Sequence, residues 1–202
     1  MSNFAKWSSE NMPNKPIYGV YFASRNKDNQ DVPDFKERRK VFPSTRSVDK
    51  LMPEFKHFVN MGQPGEFSRF YISVNSRKNK NALRDLQQYI LDALLDNEIL
   101  SIAAIQTKAA QVAMKPKNRE THKVLLDFDE DESKLDEFIQ DAIDASTKHG
   151  QEPIEVEVHK TPNGHAVIAS HGFGSHEFSQ KWGKDTVKKD AMLCTYWERK
   201  EK

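Results

Sequence analysis

Two periods of apolar spacing, one of strands and one of helices, run along this chain. Residues 17–22 and 69–74 are short runs of aromatic and β-branched residues, which predicts strands. The polar run 24–34 between them predicts a turn or loop, and residues 75–79 a polar exit. From Asn81, Leu83, Leu86, Ile90, Leu91 and Leu94 recur at three- and four-residue intervals, which predicts a helix with a core-facing stripe. A second helix is predicted after Ser101 as N-cap, with Ile102, Ile105, Ala109 and Val112 on one side and its end before Pro116.

The second half alternates more regularly. Residues 122–129 read as a strand, and Ser133 with Asp136 opens a helix that carries Leu135, Phe138, Ile139, Ala142 and Ile143 and ends at Gly150. Residues 154–160 and 165–169 form a predicted hairpin around the turn from Thr161 to Gly164. A short segment around Phe178 and Trp182 leads to a last predicted strand over residues 187–197. The expectation is an α+β fold: a flexible arm at 1–16, then one domain over 17–202, with an N-terminal α/β lobe to about residue 116 and a second lobe with a mixed or antiparallel sheet.

Composition narrows the function classes. Thirty-one Lys and Arg against thirty Asp and Glu leave a net charge of +1, so a polyanion site has to be local. The basic cluster Lys36, Arg38, Arg39 and Lys40 reads as a solvated face. Cys194 is the single cysteine, which excludes an intramolecular disulfide, fits a reducing cytoplasm and reads as a half-buried strand thiol. No apolar stretch has the length of a signal peptide core or a membrane span.

Three short segments carry candidate chemistry. In Val124-Leu125-Leu126-Asp127-Phe128-Asp129, two carboxylates stand at i and i+2 on a strand and so share a face. Carboxylates that close repel unless a divalent cation lies between them, for which magnesium or manganese is the natural choice. His165 follows the Lys160 to Gly164 turn and starts a strand, where an imidazole could contact a triphosphate. Asp190, with Asp185 as competitor, is a third acid for a metal set, and Lys188 or Lys189 a phosphate partner.

The order of these segments resembles the archaeo-eukaryotic primase superfamily, in particular small primase-polymerase-like proteins of bacteriophages. Asp127 and Asp129 match its first motif, Asn163-Gly164-His165 its second and Asp190 its third, with residues 68–197 covered. The resemblance implies an RNA-recognition-like module and nucleotidyl transfer in DNA replication. Asp127, Asp129 and Asp190 would hold Mg2+ or Mn2+ and, with His165, carry catalysis. Lys160, Asn163, His165 and Lys188 would bind the nucleoside triphosphate, and Arg69 and Arg77 the nucleic acid. The chain ends soon after the third motif and lacks zinc-binding cysteines and a helicase domain, so autonomous template-directed priming is not among the expectations.

Two alternatives compete with this reading. A metal-dependent nuclease would activate water at the same acids, and its TOPRIM form would need a further carboxylate such as Glu66. A non-catalytic module would bind single strands or a protein partner through its sheet, with Phe70, Tyr71, Arg69 and Arg77 stacking and steering. A zinc site from His171 and His176 is a weaker reading of a loop.

Overall fold

The structure, a computed structural model, describes residues 15–96, 101–148 and 152–201. The predicted anchors Phe4 and Trp7 of the arm and the predicted helix end at Gly150 lie outside the described residues. Two four-stranded sheets, antiparallel throughout, organise the molecule. The first contains β1 (Tyr18–Ser24), β2 (Arg38–Ser44), β3 (Phe67–Ser73) and β8 (Met192–Arg199) in the order β2-β1-β3-β8. The second contains β4 (Val124–Phe128), β5 (Val156–Lys160), β6 (His165–Ala169) and β7 (Val187–Lys188) in the order β5-β6-β4-β7.

Each sheet buries one face under helices. In the first, Val20, Phe22 and Phe70 pack against Leu51, Phe55, Phe58 and Val59 of α1 (Val48–Asn60), and Phe22 meets Phe55 and Phe70 edge-on. In the second, Val124, Leu126, Phe128 and Val167 pack against Phe138 and Ala142 of α4 (Leu135–Thr147) and Phe178 of α5 (His176–Trp182). Leu125, Ala166 and Ile168 of the second sheet meet Leu193 of β8, which joins the two sheets. Five α-helices stand among the described residues, and none is long and apolar enough to cross a membrane.

Several expectations are corrected. α1 and β2 fall in a stretch where no element was expected. The segment predicted as one strand over 187–197 divides: β7 pairs with β4, the chain turns, and β8 returns to pair with β3. α2 (Asn79–Leu95) and α3 (Ile102–Ala113) form where expected, and the Ser101 hydroxyl does cap α3 by accepting from the Ala104 amide at 3.1 Å. α3 leaves Ile102 exposed but buries Val112 of its predicted stripe, whereas the stripe of α2 does not face a core: Leu83, Leu91 and Leu94 are exposed, and α2 buries Ala82 and Ala93. Small residues there let the backbone approach its neighbours more closely than leucine does. α4 starts after a short turn at Glu132–Lys134, and the capping residue there is Asp131 and not Ser133: the Asp131 side chain accepts from Ser133 N at 2.9 Å.

Ion pairs brace the first sheet. Burial raises the carboxyls of Asp28, Glu54 and Glu66, but hydrogen bonds from Arg25 and Arg69, from Arg46 and Lys40, and from Arg38, respectively, outweigh it and hold all three below their ordinary values of 3.8 and 4.5. A carboxylate depressed in this way contributes stability that is complete above its unfolded pKa and is lost as pH falls through the folded one. The melting temperature is therefore expected to stay level from neutral pH to about 5 and to fall steadily below about 4. Circular dichroism melts across that range check this; a level profile down to pH 3 would show that these pairs contribute nothing.

Candidate active site between the two sheets

Strand alternation sorts β4 into two faces. Val124, Leu126 and Phe128 enter the helix-covered core, so Leu125 and Asp127 point the other way, towards the first sheet; β4 ends at Phe128, one residue short of the expected strand, and Asp129 is the exposed residue that follows it. There the two carboxylates line a cavity of about 200 Å³. Thr161, Asn163 and Lys188 share their wall, while Arg25, Lys27, Arg69 and Tyr71 form the opposite one. A second cavity of about 300 Å³ adjoins it through Asp127, Asp129 and Lys188 and extends to Asp185 and Trp182. Lys188 stands opposite Leu125 in the β4–β7 ladder, and its ammonium pairs with Asp127 Oδ2. The Asp127 amide donates to Thr186 O at 2.9 Å, which holds the strand end in place.

His165 takes a different position from the one expected. In the β4–β6 register, Asp127 faces Ala166 and Phe128 faces His165. Directly opposed residues share a face, so Ala166 lies beside Asp127 and His165 lies with Phe128 on the helix side. Its ring centroid is 6.4 Å from that of Phe128, and Nε2 is 3.7 Å from Glu132 Oε1. The residue of this turn that does support the acids is Gly164. A Cβ there would overlap the Phe128 carbonyl oxygen and come within 3.3 Å of Asp129 Oδ1, so glycine lets the turn close onto the end of β4. Gly164→Ala is accordingly expected to shift Asp129 and weaken metal-dependent nucleotide binding roughly tenfold or more. His165→Ala should leave that binding unchanged and lower stability by about 1 kcal/mol through lost packing. Paired titrations and melts check both; the reverse ranking would return His165 to the site.

Asp190 is also removed from the acids. It lies in the turn between β7 and β8 and receives both ends of the Arg77 guanidinium, at 2.6 Å for Nη2 to Oδ1 and 3.1 Å for Nη1 to Oδ2. Arg77 is fully buried, so it cannot meet a nucleic-acid strand, and Asp190 is its counter-charge and not a metal ligand. Of the two candidate third acids, Asp185 is the one that lines a cavity with Asp127 and Asp129. Lys160 lines a separate cavity with His159, Tyr196 and Trp197. Phe70 is buried under α1, whereas Tyr71 lines the cleft and stacks on Tyr21 with centroids 5.7 Å apart.

Other readings lose their residues. Glu66 is buried and bound to Arg38, with Nε 2.9 Å from Oε1, so it is no catalytic carboxylate for a TOPRIM site. Burial pushes the Cys194 thiol up to about 11, which leaves it protonated and inert as a nucleophile at neutral pH. His171 Nδ1 contacts Gly172 O and His176 contacts Gln180. Among the described residues no group of three or more His, Cys, Asp and Glu is placed to hold a metal ion by itself. By donor type, Asp127 and Asp129 are the pair that a divalent ion would use, since magnesium is commonly held by one or two carboxylates with waters and substrate phosphates completing the shell.

Arg25, Lys27 and Thr161 were not singled out in the sequence. Arg25 and Lys27 stand in the polar run read as a loop, and Thr161 in a turn whose composition needs no further reason. No protein-family model matches the chain, and no curated protein and no solved structure matches it either.

Proposed function

We propose that the chain carries out metal-dependent nucleotidyl transfer on nucleic acid, with a nucleoside triphosphate in the cleft between the sheets. The observation that supports this reading is the pairing of Asp127 and Asp129 on one cleft wall with basic residues on the other. Two acids that repel each other need a cation, and a polyphosphate needs both that cation and fixed positive charge.

In this reading Asp127 and Asp129 hold Mg2+ or Mn2+, which when bound neutralises charge on the phosphates and lowers the pKa of an attacking hydroxyl. Lys188, half-exposed beside Asp127, exchanges that carboxylate for a phosphate oxygen when nucleotide arrives. Asn163 offers an amide donor from the same wall, and the backbone bond from Asp127 N to Thr186 O keeps the acids in position. With Ala166 and not His165 beside Asp127, phosphate recognition in this reading falls to lysine and arginine.

A second reading is a strand-binding module without turnover. The pairing of Lys188 with Asp127 favours it, because an internal ammonium already balances one of the two acids. Incubating the chain with a labelled primer-template, the four deoxynucleoside triphosphates and manganese separates the readings. Primer extension that requires the metal is the expected result. Shortening of the label would show a nuclease, and salt-sensitive binding with neither product would show the non-catalytic module.

A further inference from the structure

Asp28 is shared by two guanidiniums. Arg25 Nε donates to Oδ2 at 2.7 Å and Arg69 Nη2 donates to Oδ1 at 2.5 Å. Two cations on one anion leave a net positive charge, to which Lys27 adds a second. The Arg69 side chain is only 8% exposed, and its Nε is buried with no hydrogen-bond partner; Arg25 Nη2 is buried and unpartnered as well. The remaining contacts of the two guanidiniums are aromatic: Arg25 lies 5.9 Å from the Tyr71 centroid and Arg69 5.3 Å from that of Phe67. Both arginines line the cavity whose far wall carries Asp127 and Asp129. A buried donor without a partner costs stability unless something in the cavity accepts from it.

We propose that Arg25 and Arg69, oriented by Asp28 and assisted by Lys27, form a phosphate-receiving clamp on the first sheet, facing the diacid across the cleft. A phosphate group supplies several acceptor oxygens in the geometry that guanidinium forks prefer. Asp28 fixes both forks from behind, so little side-chain freedom is lost on binding. The phosphate belongs either to the tail of a nucleotide or to the backbone of a strand. The clamp rests on the nucleotidyl-transfer reading only for the identity of that carrier.

Calorimetric titrations in excess chelator, without divalent metal, test the clamp apart from catalysis. Inorganic tripolyphosphate and a short oligothymidylate are each titrated into wild type, Arg25→Gln, Arg69→Met and Asp127→Asn/Asp129→Asn, with thermal melts for each variant. The expected result is binding of at least one of the two ligands to wild type, weakened at least tenfold by Arg25→Gln. The diacid variant should bind as well as wild type or better, because it removes a repelling charge. Dependence confined to tripolyphosphate identifies the nucleotide tail, and dependence confined to the oligonucleotide identifies the strand backbone. Arg25 is partly exposed, so its variant remains informative if Arg69→Met unfolds. Absence of binding to wild type, or equal affinity in wild type and a folded Arg25→Gln, overturns the clamp, whatever the transfer assays show.

Discussion

Asp190→Ala is expected to destabilise the protein by about 3 kcal/mol or more, because it leaves a charged guanidinium buried with no counter-ion. Arg77 has no exposed surface, and Asp190 binds it through both carboxylate oxygens. The Arg77 Nε already lacks a partner, so Asp190 is the only acidic group seen to balance this charge among the described residues. Asp190 is itself partly exposed, and water entering the space left by alanine keeps the loss at the lower end of the range for broken buried pairs. For a chain of this size such a loss lowers the melting temperature by roughly 6 °C or more. Denaturant unfolding of wild type, Asp190→Ala and Asp190→Asn measures it. A loss under about 0.5 kcal/mol for Asp190→Ala would show that the pair is solvated, as surface pairs are.

The second large effect has the opposite signature. Asp127→Asn and Asp129→Asn are each expected to reduce metal-dependent transfer by about a hundredfold or more, with the fold unchanged. Among the described residues Asp127 pairs with Lys188 alone, which is itself 44% exposed, and a pair of that kind contributes little to stability. Relief of repulsion between the two carboxylates offsets part of even that. Steady-state rates measured beside melting curves separate the two outcomes. Variants that lose activity only because they unfold would make these acids structural and would move the functional assignment elsewhere.

The contrast between Asp190 and the diacid shows what the sequence could convey. Alternation over residues 122–129 brings Asp127 and Asp129 to one side, and the structure sets both in one cavity although the strand ends before Asp129; the hairpin of β5 and β6 follows from its turn residues. The face on which His165 falls depends on register, and a shift of one residue reverses it. In that register Gly164 closes onto the end of β4, a tertiary contact with no local signature. The Arg77–Asp190 pair spans 113 positions, so nothing near Asp190 distinguishes a counter-ion from a metal ligand.

The missing elements have different causes. β2 is an edge strand with three consecutive basic residues and Pro43, a composition that protects an edge from pairing and hides the strand pattern. α1 carries Pro53 within it, which argues against a helix locally. Its buried Leu51, Phe55, Phe58 and Val59 nevertheless recur at helical spacing and were legible in the sequence. The leucines of α2 repeat just as regularly, yet several of them are exposed, since periodicity marks a helix and not what covers it.

The most direct test of the site is calorimetric titration of a non-hydrolysable nucleoside triphosphate analogue with manganese into wild type and the Asp127→Asn/Asp129→Asn double variant. Metal-dependent binding in wild type that disappears in a folded double variant is the expected result; equal metal-dependent binding in both, or none in wild type, would contradict a metal-nucleotide site at Asp127 and Asp129.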